Sequence, residues 1–254
     1  MGQRPGATRA LLLATFAFAV SFSAWGLIAP LAKKFQDNLD LSNTRTLMLT
    51  AVPVVLGSLL RIPFGVITDR KGGRRVFTAV LLASAVPVFA FGFVDSYWGL
   101  IVVGFFLGIA GASFAVGVPF VAGWYPTERQ GFALGVYGMG NIGTAVAAFT
   151  APAVVNHWGR PTLGVAAALV MVLAAVVFYS MAENPPRTAA PPRYAEVLRS
   201  GWRSLLLVAG GLLAGWWLSV PAHELLHALG CWAAGGEVSR LEIDPIYGAR
   251  WIAV

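Results

Sequence analysis

Charge is what this chain has least of. Its 254 residues include 18 lysines and arginines and 11 aspartates and glutamates, 11% together, where a water-soluble domain carries about 25%. That shortage excludes an ordinary soluble enzyme surface. Cysteine is nearly absent too: Cys231 stands alone, so no internal disulfide can form and the redox compartment cannot be read from cysteine usage. Carboxylates are absent from every long apolar run before residue 183, so a cation inside such a run has no acidic partner there.

What fills the space is hydrophobic, 57% of the chain. Residues 10–32, 76–94, 96–127, 130–159, 161–182 and 204–223 carry no charge, and 46–68 is interrupted only by Arg61. Each run is near or above the ~20 residues that a helix needs to cross ~30 Å of hydrocarbon. So many runs in so short a chain exclude the buried core helices of a large soluble protein. The formal net charge of +7 is distributed by side. With a cytoplasmic N-terminus and six crossings over 10–182, the cytoplasmic segments hold Arg4, Arg9, Arg70, Lys71, Arg74, Arg75, Arg129, Arg187, Arg193, Arg199 and Arg203. The opposite side holds only Lys33, Lys34, Arg45 and Arg160. This is the asymmetry of the positive-inside rule, and it reports topology rather than a nucleic-acid partner. The start has the outline of a signal peptide, with Arg4 and Arg9 before an apolar stretch and small residues at Ala17 and Ala19. The uncharged run is long for that purpose and more spans follow, so the first helix is expected to stay uncleaved.

The sequence therefore predicts an all-α membrane protein with spans near 10–32, 46–68, 75–94, 97–123, 130–154 and 161–182. Tyr125-Pro126 and Arg160-Pro161 mark two turns, since proline disfavours helix in the residue before it. A six-helix unit over 1–182 is followed by a cytoplasmic linker at 183–203, with Pro185, Pro186, Pro191, Pro192 and four arginines. Residues 204–254 supply an additional apolar helix and a short mixed tail.

Three motifs in the six-helix unit carry chemistry. Gly65-Val66-Ile67-Thr68-Asp69-Arg70-Lys71-Gly72-Gly73-Arg74-Arg75 is a tight glycine turn with a cationic rim, and its aspartate can bond free backbone N–H groups at a neighbouring helix start. The spacing of Gly65, Asp69, Arg70, Gly72 and Arg74 resembles the loop signature of the major facilitator superfamily. Arg61 lies eight residues before Asp69, ~12 Å inside the end of its helix. An arginine at that depth faces a bundle interior, a cavity or a partner, or snorkels to the interface. Its always-charged planar fork suits a small planar oxyanion. In the fifth span, Gly131, Gly135 and Gly138 share one helix face, and Gly140, Gly143 and Ala147 another. Close helix packing explains the glycines; it does not explain Asn141, an amide in an apolar helix that needs a hydrogen-bond partner.

Leu60-Arg61-Ile62-Pro63, Gly111-Ala112-Ser113-Phe114-Ala115, Trp124-Tyr125-Pro126-Thr127-Glu128-Arg129-Gln130-Gly131 and Gly140-Asn141-Ile142-Gly143 together resemble the nitrate/nitrite porter family, a branch of that superfamily, over about residues 10–200. The resemblance implies that Arg61 is the substrate-binding arginine of an N-terminal half and that Phe114 lines the same site. It also implies that Gly138, Gly140, Asn141 and Gly143 form the nitrate signature. Transport of nitrate or nitrite across the inner membrane by alternating access follows, with no cofactor. Family members have two six-helix halves, with a second arginine and a second glycine signature in the other half. This chain carries one copy, so a second half or a homodimer is expected to complete the pathway.

A different chemistry is offered at His223-Glu224-Leu225-Leu226-His227, which sets two imidazoles one helical turn apart with a carboxylate placed to activate a zinc-bound water. With Ala228-Leu229-Gly230 it resembles the intramembrane site-two-type metalloproteases over about 55 residues. Zinc needs a third protein ligand, and the carboxylates that follow are Glu237, Glu242 and Asp244. The alternative reading is thus a fragment of a membrane zinc metallopeptidase, joined near 183–203 to a transporter half by fusion or truncation. His157 reads as a plain interfacial residue.

Overall fold

The computed structural model describes residues 5–186, 240–244 and 248–252. The first compact unit runs to Pro191 and the second from Pro192 to Val254. Helices make up the first unit: α1 (Ala7–Trp25), a 3₁₀ turn (Ala29–Leu31), α2 (Ala32–Asn38), α3 (Asn43–Lys71), α4 (Gly73–Phe91), α5 (Tyr97–Gly111), α6 (Ser113–Ala122), α7 (Thr127–Gly138), a second 3₁₀ turn (Met139–Asn141) and α8 (Ile142–Met181). Among the described residues, five helical stretches are long and apolar enough to span a bilayer, and the last, Thr127–Met181, has 55 residues. At 1.5 Å per residue that stretch would run ~80 Å, more than twice the hydrocarbon thickness. Gly159 divides it: φ 84 and ψ 165 are non-helical values that only glycine adopts without strain. The unit therefore makes six passes, as the charge-free runs predict, and the expected turn at Arg160-Pro161 falls one residue earlier.

Local chemistry sets the boundaries. The Ser42 hydroxyl accepts from the Arg45 N–H at 3.4 Å at the start of α3, and the Ser96 hydroxyl from the Gly99 N–H at 3.2 Å at the start of α5. Pro126, with φ −65 and ψ 155, opens α7 at the expected turn. Three passes are not straight, contrary to the uninterrupted spans read from the sequence. The first turns after Trp25 and continues to Asn38, the fourth breaks at Ala112, and the fifth tightens into 3₁₀ geometry at Met139–Asn141.

The core is aromatic where helices converge. Phe18, Phe77, Phe91, Phe120, Tyr137 and Phe178 are fully buried. Phe178 on the last pass meets Phe77 of α4 at 4.9 Å and Phe120 of α6 at 5.6 Å between ring centroids. α3 is the outlier: 17% of its most apolar stretch is buried, against 56% for Tyr97–Ala122. Leu47, Met48, Val54, Leu59 and Ile62 stand exposed along it.

In the second unit, β1 (Arg240–Asp244) pairs antiparallel with β2 (Gly248–Ile252), Glu242 opposite Arg250. This hairpin was not foreseen for the tail. The apolar run 204–222, most of the linker, and His223, Glu224 and His227 lie outside the described residues.

Candidate functional site

Arg61 lies ten residues before the end of α3, ~15 Å from it, and its side chain is exposed between Leu59 and Ile62, which are 64% and 77% exposed. Among the described residues Arg61 makes no hydrogen bond, ion pair or ring contact. One turn away, Gly57 is buried against α5: a methyl group there would come 3.0 Å from the Gly108 carbonyl oxygen and 3.7 Å from Gly111 Cα. The glycine contact brings the two backbones together and thereby places Arg61 level with the start of α6, against which α3 also packs. Phe114 is the second residue of α6, ~12 Å from that helix's other end, and is 38% exposed.

Phe114 joins an aromatic cluster that crosses three passes. Its ring centroid is 5.6 Å from Phe18 of α1 and 5.9 Å from Tyr137 of α7, while Phe18 stacks on Tyr137 at 4.7 Å. The buried Tyr137 hydroxyl donates to the Ser113 carbonyl at 3.1 Å, at the carbonyl end of the α5–α6 break. Phe22 continues the cluster to Trp25 at 5.2 Å. Trp25 Nε1 and Ser113 Oγ are buried without partners among the described residues.

The glycines of the fifth pass divide into two sets with different work. Gly140 and Gly143 are buried against α1: a methyl at Gly140 would enter the Phe18 ring, and one at Gly143 would collide with the Ala19 carbonyl oxygen. These two permit the 3₁₀ turn and the start of α8 to lie directly on α1. Gly131, Gly135 and Gly138 face open space, with nothing within 4 Å of a built Cβ, so close packing within this unit does not explain them. Asn141 is exposed on the 3₁₀ turn; its carbonyl oxygen accepts from the Thr144 hydroxyl at 2.8 Å, and its side-chain amide has no partner among the described residues. α3 rests on α5 and α6, whereas the 3₁₀ turn rests on α1 and α7. Phe114, on α6, has its ring contacts with the second group, Phe18 of α1 and Tyr137 of α7.

The loop between α3 and α4 is ordered by a residue the sequence reading left in the linker. The Arg74 N–H, in the first turn of α4, donates to Asn184 Oδ1 at 2.9 Å. Arg74 Nε donates to the Tyr179 carbonyl at 2.7 Å, and its guanidinium lies 4.4 Å from the Tyr179 ring centroid. Glu183 pairs with Arg9 of α1, and Pro185 packs on Gly123 beyond α6. Gly72, at φ 85, makes the turn and leaves room for the Asn184 amide. Gly65 faces open space, and Asp69 and Arg70 are exposed. Residues 183–185 thus bind the ends of α1, α4 and α6 at one end of the bundle. Tyr179 and Asn184 carry no sequence signal beyond a polar residue after an apolar run.

The family model for the Major Facilitator Superfamily matches residues 14–236. A probable nitrate/nitrite transporter of Mycobacterium tuberculosis, NarK2, is 42% identical over 179 residues, which is 69% of this chain and 45% of that protein. A probable nitrate transporter of Staphylococcus aureus, NarT, is 36% identical over 187 residues, 74% of this chain and 48% of that protein. Among solved structures, a bacterial homologue of the human lysosomal transporter Spinster, inward-facing and occupied, superimposes with a TM-score of 0.64 at 18% identity, over 76% of this chain and 48% of that one. This last likeness concerns the fold alone. The chain spans about half the length of these relatives. The family match runs through His223, Glu224 and His227, and the protease resemblance of that segment finds no support in any of these comparisons.

Proposed function

The chain belongs to the major facilitator superfamily, and from that membership we propose that it forms the N-terminal half of a carrier for nitrate or nitrite, with Arg61 as the anion's ligand. One observation carries the reading: Arg61 is an exposed cation among apolar residues, ten residues inside the end of a membrane-spanning helix, with no partner among the described residues. Facing lipid it would be costly, and a small planar oxyanion satisfies it with two parallel hydrogen bonds. In this reading Phe114 bounds the site on one side, and the exposed Asn141 amide with the open Gly131, Gly135 and Gly138 lines the anion's passage. The names of the relatives from Mycobacterium tuberculosis and Staphylococcus aureus, at 42% and 36% identity, support the substrate class.

The pathway needs a second set of six passes, from another half or a second copy. Two faces are available for it: α3 with Leu47, Met48, Val54, Leu59 and Ile62 exposed, and the fifth pass with Phe132, Met139, Ile142 and Phe149 exposed. Rocking one bundle against the other around a midplane site would then move the anion. The excess of arginine on the Arg70–Arg75 side puts that end and the N-terminus in the cytoplasm, with the protein in the inner membrane.

Counterflow of isotope-labelled nitrate in proteoliposomes that hold this chain with a matched second half tests the proposal. Uptake above empty liposomes is expected, abolished by Arg61→Ala and reduced about tenfold by Arg61→Lys, which keeps the charge but loses the planar fork. Equal uptake by wild type and Arg61→Ala would sink it.

A further inference from the structure

The end of the bundle away from the Arg70–Arg75 loop holds a cleft of about 400 Å³ that the transport reading does not use. Leu31, Phe35, Phe93 and Val155 give it apolar walls, and Lys34, Asp95 and Arg160 give it charge. Gly159 creates it: the backbone break between the fifth and sixth passes sets Arg160 and Pro161 across from α2. Arg160 is held firmly. Its side chain is 15% exposed, it donates through Nη2 to Asp95, and its guanidinium lies 5.6 Å from the Phe35 ring centroid. Its Nε is buried with no partner among the described residues, so Asp95 does not use up the guanidinium's five donors. Lys34 is exposed and spends one N–H on Asn156 Oδ1 at 2.9 Å, leaving two. Asp95, 88% exposed, offsets one of the two cations. The cleft is left with one net positive charge, which fits a monoanion.

Size and lining decide which monoanion. The volume is several times that of a bare inorganic oxyanion, and half the wall would give such an ion nothing to bond. Phe93, Trp98 and Trp158 stand 50%, 74% and 67% exposed at this end of the bundle, as aromatic side chains do at the membrane–water interface. An amphipathic cleft with a cationic rim at headgroup depth suits a lipid. We infer that this cleft binds the phosphodiester of a membrane phospholipid, with the phosphate on Lys34 and Arg160 and the glycerol carbons against Leu31, Phe35 and Phe93. The inference is independent of the transport reading, since none of these residues belongs to the Arg61 site.

Native mass spectrometry of the full chain, released from detergent with phosphatidylglycerol added, tests it. The wild type is expected to retain one lipid, and diacylglycerol, which lacks the phosphate, should not be retained. Lys34→Gln with Arg160→Gln should lower the lipid-bound fraction at least tenfold, as expected for loss of two charge-assisted hydrogen bonds. Because Arg160 also packs between Asp95 and Phe35, Lys34→Glu serves as the second variant. It alters only an exposed side chain and should abolish retention by itself. Retention by either variant at the wild-type level overturns the inference. So does displacement of the lipid by millimolar nitrate or inorganic phosphate, which would make the cleft a free-oxyanion site.

Discussion

Tyr137, Gly143 and Arg61 show how differently single residues on one bundle can be constrained. Tyr137 is fully buried, and its hydroxyl holds the Ser113 carbonyl where α5 stops and α6 begins. Tyr137→Phe keeps the ring stack with Phe18 and removes that hydrogen bond, so a loss of about 1 kcal/mol is expected, read as a lower thermal midpoint of the purified protein. Gly143 tolerates nothing larger, because the Ala19 backbone occupies the space of a side chain. Gly143→Val should prevent α1 and α8 from closing and leave little monodisperse protein on size exclusion, whereas Gly135→Ala, facing open space, should leave folding intact. Arg61 is free of both kinds of constraint among the described residues: its exposure and lack of partners there predict that Arg61→Gln folds as well as wild type. Much of this was legible in the sequence. Arginine in an apolar run with no carboxylate at its depth stands out by charge alone. The separation of the glycines into a packed pair and an open set was not legible, because helical spacing gives faces and not what covers them.

At the scale of elements, the strap formed by residues 183–185 and the break at Gly159 hold the passes in place. Asn184 fills the first turn of α4, Glu183 pairs with Arg9, and Pro185 covers Gly123. Asn184→Ala removes the acceptor of the Arg74 N–H, and faster hydrogen exchange at residues 73–76 is the expected consequence, with the opposite end of the bundle unchanged. Gly159 has backbone angles that a side chain resists, so Gly159→Ala should cost about 1–3 kcal/mol and lower the thermal midpoint. The passes themselves could be read from charge-free lengths. The breaks at Ala112 and at Met139–Asn141 could not, since no charge or proline marks them; only the turn after Trp25 has such a mark, Pro30 in its 3₁₀ segment. The strap was equally hidden: Asn184 and Glu183 lie 110 and 174 residues from their partners Arg74 and Arg9.

For the whole molecule, the second half we propose rests on two observations. The described unit leaves α3 and the fifth pass with long apolar exposure, and the chain covers 45–48% of its relatives from Mycobacterium tuberculosis and Staphylococcus aureus. In the carrier we propose, Arg61 supplies one side of the site and a second set of passes supplies the other. The measurement that tests this most directly is a titration of nitrate into the assembled carrier, followed by calorimetry, for wild type and for Arg61→Gln. The account predicts saturable binding to the wild type and at least ~100-fold weaker binding to a variant that is equally well folded, the loss of two charge-assisted hydrogen bonds. Unchanged affinity in Arg61→Gln would contradict it.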